Sequence, residues 1–247
     1  MNVRIAYIEE PPYYWTAGDG SVVGADIELA DAVLRAIGVT SITHVPVAFD
    51  EFLPGVQEGR WDMNVPIFVT PERAKQVAFS IPVWALGDGF MVRRGNPKAL
   101  VSYKALAEFG SARLGVIAGQ VQSDSAKLVG VRDEQIEVFR NQPDAIAALL
   151  AGQIDAFAGT AVGNRAALND NQALEAVAHP IDKGAKVPVG AFSFDRRNHD
   201  LLRAVNEELH KYLGSPDHRA RVAKYGITAT EIDSVLPIQS VGRDGRA

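Results

Sequence analysis

The chain has 247 residues, 47% of them hydrophobic and 22% charged, and a formal net charge of -5. That is the composition of a soluble globular protein with one large domain or two ordinary ones, and it excludes extensive disorder. An acidic balance without a dense Lys/Arg cluster argues against a nucleic-acid partner, and a solute or protein partner fits better. Cysteine is absent and the five histidines are scattered. Disulfides, thiolate chemistry and the usual zinc sites are therefore excluded, and neither metal nor cofactor is expected.

In chain order, MNVRIAYIEE reads as a strand and not as a signal peptide, so an export signal is expected to have been removed or never present. No apolar run is long enough to span a bilayer. EEPPYYW (9 to 15) then places Glu10, Tyr13, Tyr14 and Trp15 in a Pro-stiffened loop at the C-terminal end of that strand, where open α/β sheets bind ligands. GDGSVVG (18 to 24) is one residue from a dinucleotide fingerprint but lacks the strand-turn-helix context, so it reads as an Asp-Gly turn. GADIELADAVLRAIGV carries Ile27, Ala30, Val33, Leu34 and Ile37 at helical spacing, closed by Gly38. SITHVPVAF reads as a strand ending at Phe49, DEFLPGVQEGR as a short helix, and WDMNVPIFV as a strand carrying Phe68.

Thr70, Pro71 and Glu72 mark the start of a helix, which makes Arg73 a first-turn residue. A cation there faces the positive end of the helix dipole. A compensating anion is expected: either a local ion pair with Glu72 or a nearby Asp, or a bound carboxylate.

A second set repeats the order of the first: SYKALAEFG helix, RLGVIAG strand, SDSAKLVG helix, IEVFR strand, QPDAIAALLAGQ helix and IDAFAGT strand. GQVQSDS (119 to 125) joins strand to helix and offers either backbone N–H groups to an anion or a plain loop capped by Ser123 or Asp124. IDAFAGTAVGN brings Thr160 and Asn164 to another strand end. Two helices follow, NHDLLRAVNEELHKYLGS and SPDHRARVAKYG, and then the tail SVGRDGRA, which has no periodicity and is expected to fray.

GDGFMVRRGN and PVGAFSFDRRN flank the second set, and each is an apolar strand ending in two arginines. If the chain crosses at the first and returns at the second, it forms two α/β lobes joined by two strands, with a cleft between them suited to a ligand. The expected boundaries are 1–91 with 193–247 for one lobe and 92–192 for the other. Tyr13, Phe49 and Phe68 all reach one edge of the first lobe, where aromatic faces attract a cation. No nucleophile elbow, phosphate loop or zinc-protease signature occurs, so catalysis has no sequence signal.

VVGADIELADAVLRAIG, FLPGVQEGRWDM, VTPERAKQVAFSIPVW and AALLAGQIDAF together resemble the polar amino-acid class of extracytoplasmic solute-binding proteins of ABC importers, family 3. The resemblance implies the two-lobed type II periplasmic-binding-protein fold, with Rossmann-like lobes and hinge closure. It also implies a membrane permease as partner, a monomer, and a periplasmic or other extracytoplasmic location. At the position of Arg73 the family has an arginine that grips the ligand carboxylate. Amino-acid binders of the family have small hydroxyl residues where this chain has Pro66 and Phe68, and an acidic residue where it has Thr160. Many have a tyrosine at the position of Glu10.

The pocket pattern is more similar to the ectoine and hydroxyectoine binders, except that Val121 replaces their threonine. By that likeness Tyr13, Phe49 and Phe68 would surround a cationic head, Glu10 would offer an anionic acceptor and Arg73 would take the carboxylate. Gly119, Gln120, Val121 and Thr160 would add contacts on closure. Ectoine-like, betaine-like, cyclic imino or ω-amino acids would all fit. Three alternatives stay open: a polar α-amino-acid binder, a cyclohexadienyl-dehydratase-like enzyme with Glu10 as general acid, and a receptor-kinase sensor domain.

Overall fold

A computed structural model describes residues 1–181 and 186–236. Two mixed sheets carry the fold. In the first, the strands run in the order Ser41–Pro46, Asn2–Tyr7, Met63–Phe68, Val189–Phe194 and Ala78–Phe79, with Trp84–Ala85 also paired to Val189–Phe194. In the second the order is Ile136–Phe139, Leu114–Ile117, Ala156–Thr160, Asp88–Arg93 and Leu174–Ala178. Each sheet joins three parallel strands to one antiparallel strand that the chain contributes next to a crossing between the sheets. The repeat legible in the sequence is this shared order.

The helix Ala25–Ala36 buries Ile27, Ala30, Val33 and Leu34 against the first sheet, as its spacing predicts, and Gly38 closes it at φ +86°. Helices His199–Tyr212 and Pro216–Ala223 cover the same sheet by burying Leu201, Val205, Leu209 and Val222. Two separate clusters fill the second lobe, one around Phe90, Leu106 and Val116 and the other around Met91, Leu149 and Phe157. Val162 of the second lobe is buried within the core cluster of the first, so the two lobes are in contact.

Three local expectations change. Phe49 does not end a strand: pairing stops at Pro46, and Phe49 opens a 3-10 turn, Phe49–Glu51, in which the Glu51 carboxylate accepts the Ala48 N–H at 3.0 Å. The helix that follows is shorter than DEFLPGVQEGR, spanning Phe52–Gln57. Both crossings come earlier than the lobe boundaries read from the sequence. Asp88–Arg93 lies wholly in the second sheet and Val189–Phe194 wholly in the first. The chain therefore passes over after Ala85 and returns between Ala178 and Val189. The apolar runs flanking the crossings belong to sheet interiors, and composition alone does not distinguish a sheet strand from a connecting one. The tail SVGRDGRA lies outside the described residues. Among the described residues no helix is long and apolar enough to cross a membrane.

Candidate functional site

The site lies where strand ends of both sheets face one another. Thr70 caps the one-turn helix Pro71–Ala74, its hydroxyl accepting the Arg73 N–H at 3.2 Å, and Pro71 sits at the first position. That turn directs Arg73 inward, leaving it 8% exposed. Its guanidinium donates from Nη1 to the Phe68 carbonyl at 2.8 Å and from Nη2 to the Gly119 carbonyl at 2.9 Å. It stands 5.1 Å from the centre of the Phe49 ring. Burial lowers its pKa, against the opposing influence of Tyr14 and Asp124. Neither Glu72 nor an Asp pairs with it among the described residues; both acceptors are neutral carbonyls. A guanidinium has five N–H donors, and three stay available here.

The loop after the first strand is tied by its own backbone. The Glu10 N–H donates to the Tyr14 carbonyl at 2.8 Å, and the Glu10 carbonyl accepts from the Tyr13 and Tyr14 N–H groups. The Glu10 carboxylate accepts the Gln120 amide across the cleft at 3.0 Å. Burial pushes its pKa up to about 7, while bonds from Gln120 and Tyr14 hold it back from rising further. GDGSVVG forms the expected turn, with Trp15–Thr16 paired antiparallel to Val22–Val23. Tyr13 is buried, and its hydroxyl lies 2.6 Å from that of Thr160, which also accepts the Gly163 N–H and so caps the helix Ala161–Ala167.

Trp84 completes the apolar wall. Its ring meets Phe68 edge-on at 5.2 Å and Tyr13 at 6.2 Å, and its indole N–H donates to both oxygens of the buried Asp26 at 3.1 and 3.3 Å. Burial pushes the Asp26 carboxyl well above the usual carboxylate range.

Glu10, Tyr13, Phe49, Phe68, Arg73, Gln120, Val121 and Thr160 line one enclosed space, and Gly119 borders an adjoining one beside Phe49 and Arg73. All nine residues named from the sequence are thus drawn to one place. The volume of this space is about 30 Å³. The lobes meet across it through the Tyr13–Thr160, Gln120–Glu10 and Arg73–Gly119 hydrogen bonds. A second cavity of about 270 Å³, lined in part by Arg140 and Phe157, shares Glu10, Phe49 and Gln120 with the first.

Phe49 both lines the cleft and lies beside Arg73, its ring centre 5.1 Å from the guanidinium. The Asn164 amide donates to the Gly89 carbonyl at 3.0 Å. In the 119 to 125 loop neither Ser123 nor Asp124 caps the helix Gln122–Leu128, which follows Val121 without a side-chain cap. Tyr14, which the sequence places in the same loop as Glu10 and Tyr13, lines the cleft too, whereas sequence reasoning missed Ile67, Trp84, Leu86 and Gln122. Trp84 was within sight, because it ends the VTPERAKQVAFSIPVW stretch that carried the family resemblance. Among the described residues no cluster of His, Asp and Glu could hold a metal ion.

Known proteins are similar to this chain in sequence and fold. The "Probable amino-acid ABC transporter periplasmic-binding protein y4tE" of Sinorhizobium fredii is 30% identical over 241 residues, 94% of this chain and 79% of that protein. Escherichia coli "ABC transporter arginine-binding protein 1" is 27% identical over 62% of this chain and 61% of its own. The crystal structure of EhuB in complex with hydroxyectoine superposes with a TM-score of 0.84 at 27% identity, covering 96% of this chain and 95% of that one. The fold is that of the type II periplasmic-binding proteins, two α/β lobes closing on a cleft. The matched relatives and structures are named as solute-binding proteins or as complexes with a solute. Matched over residues 3–227, the chain belongs to the bacterial extracellular solute-binding proteins, family 3.

Proposed function

We propose that this substrate-binding protein of an ABC importer for polar solutes captures a small zwitterion whose cation is held apart from its carboxylate. Ectoine-like and betaine-like compatible solutes are the class in view. The observation that carries this reading is Arg73, buried in the cleft, its guanidinium bonded among the described residues to two neutral carbonyls and bordered by Phe49, Phe68, Tyr13 and Trp84. The carboxylate takes the remaining guanidinium donors in the bidentate geometry arginine favours. The cationic head lies against the Tyr13, Phe68 and Trp84 faces, each contributing about 0.5 to 2 kcal/mol, with Glu10 as its counter-charge. Thr160 offers a hydroxyl where an α-ammonium group would need a carboxylate, and that hydroxyl is already engaged by Tyr13 and Gly163.

The solute is handed to a membrane permease from the periplasm or an equivalent extracytoplasmic space, by a monomer with one lobe from both ends of the chain and one from its middle. The hydroxyectoine complex of EhuB at 27% identity supports the ligand class. A second reading, a polar α-amino acid, is favoured by the arginine-binding and L-cystine-binding relatives. The two are separated by a thermal-shift screen of ectoine, hydroxyectoine, glycine betaine, proline, 4-aminobutyrate and the standard amino acids. A shift confined to the zwitterions with separated charges upholds the first reading; a shift with ordinary α-amino acids replaces it with the second.

A further inference from the structure

Gln122 is 2% exposed and lines the same cleft as Arg73 and Phe68. Its amide Nε2 donates to Asp88 Oδ1 at 3.0 Å, while its Oε1 is buried and has no hydrogen-bond partner among the described residues. An amide oxygen left in that state costs about 1 to 3 kcal/mol, so such atoms are usually satisfied by something. The orientation of the amide is set from behind. Asp88 accepts from Gln122 on one oxygen and from the Tyr103 hydroxyl on the other at 2.9 Å. A carboxylate with both oxygens accepting has no donor to offer, so Nε2 must turn toward Asp88 and Oε1 away from it. Asp88 itself opens the strand Asp88–Arg93, directly after the first crossing between the sheets, and its carbonyl accepts the His179 N–H near the second crossing. The amide is therefore anchored to the part of the chain that joins the lobes.

We propose that Gln122 Oε1 is the acceptor for an N–H group of the bound solute, in the place where Thr160 supplies no carboxylate. The assignment rests on the zwitterion reading above and narrows it. A head group with N–H donors, such as a protonated cyclic amidine or an ammonium, satisfies both the aromatic wall and Gln122. A quaternary ammonium satisfies only the wall, because its methyl groups cannot donate. Selection between the two cation types then resides in this one amide.

The test measures affinities of the wild type, Gln122→Leu and Asp88→Asn for ectoine, which has N–H donors in its ring, and for glycine betaine, which has none on nitrogen. Gln122→Leu should weaken ectoine by about 10- to 100-fold, the scale of one hydrogen bond to a charged group, and betaine at least tenfold less. Asp88→Asn replaces an acceptor-only partner by one that can face Gln122 with either its oxygen or its NH2, so Oε1 is no longer held away from residue 88 and ectoine should lose more than betaine. Thermal midpoints of both unliganded variants report whether they fold. If the wild type binds both probes and each variant weakens them equally, or neither, the acceptor role is overturned and the zwitterion reading stands. If the wild type binds neither probe, the zwitterion reading falls and takes the acceptor with it.

Discussion

The hydroxyl of Tyr13, on the first loop of one lobe, lies 2.6 Å from the hydroxyl of Thr160, at a strand end of the other. This buried bond exists only when the lobes are closed. With the Gln120–Glu10 and Arg73–Gly119 bonds it forms one of three polar side-chain links across the cleft among the described residues. Tyr13→Phe removes the link but leaves Thr160 its Gly163 partner. A neutral hydrogen bond contributes about 0.5 to 1.5 kcal/mol, so closure should weaken and ligand affinity should fall by about 2- to 10-fold. Calorimetric titration gives the affinity, and small-angle scattering of the unliganded protein should show a larger radius of gyration for the variant. An unchanged radius together with unchanged affinity would remove this bond from the closing mechanism.

Arg73→Lys tests geometry apart from charge. Lysine keeps the cation but has three rotatable donors on a point charge, and cannot hold the Phe68 and Gly119 carbonyls while also gripping a carboxylate in two places. Affinity for any carboxylate solute should drop by about 2 kcal/mol or more, and Arg73→Ala should abolish it. If the alanine variant retains affinity, the carboxylate is held elsewhere.

Much of this was legible in the chain, and the parts that were not share a physical reason. The helix Ala25–Ala36 and the alternation of strands with helices followed from apolar spacing, which burial enforces. Arg73 was legible because a cation in a first turn conflicts locally with the helix dipole, and conflicts of that sort gather at functional sites. The partners of Arg73 were not legible. The Phe68 and Gly119 carbonyls are backbone groups, and any residue type would have supplied them. Trp84 and Gln122 were missed for a related reason. A tryptophan in an apolar stretch reads as core, and a glutamine at a helix start reads as surface. Only the tertiary structure turns both of them into the cleft.

Phe68→Ser tests the aromatic wall. Phe68 meets Trp84 edge-on at 5.2 Å, so losing the ring removes a cation-facing surface and also loosens its neighbour. Ectoine and betaine should each lose about 0.5 to 2 kcal/mol of binding. An α-amino acid should be affected less, because serine restores the small hydroxyl that amino-acid binders carry there. Competition titrations on the purified variant measure the ratio, and equal losses for all three ligands would count against a cation-facing wall.

Gly119→Ala probes the closed geometry from the backbone. Gly119 adopts φ +78°, a region costly for residues with a Cβ, and an added Cβ would lie 3.1 Å from the Phe49 ring. Since Phe49 also supports Arg73, the variant should lose about 1 kcal/mol or more of closed-state stability. Affinity should fall with the off-rate raised and the on-rate little changed, as surface plasmon resonance would reveal. A fall confined to the on-rate would place the damage in the open form.

Glu10 gives the binding a pH dependence whose sign is fixed by its burial. Burial pushes its pKa up from 4.5 to about 7. Between those values the folded state holds a proton that the unfolded state has released. Its contribution to stability is therefore fully present below about pH 4.5 and is lost as pH rises through about 7. A cationic solute reverses the preference by favouring the carboxylate. Affinity for ectoine or betaine should rise from about pH 5 to about pH 7 and then level off, with a proton released on binding below the plateau. The groups nearest the carboxyl, Gln120 and Tyr14, are hydrogen-bond donors that do not titrate in this window, but the buried Asp26 behind Trp84 is also raised, so the Glu10→Gln variant is what assigns the slope. Titrations in two buffers of different ionisation enthalpy measure the released proton directly. Glu10→Gln should flatten the profile and lower the plateau, whereas a wild-type profile that is already flat would remove Glu10 as the counter-charge of the solute.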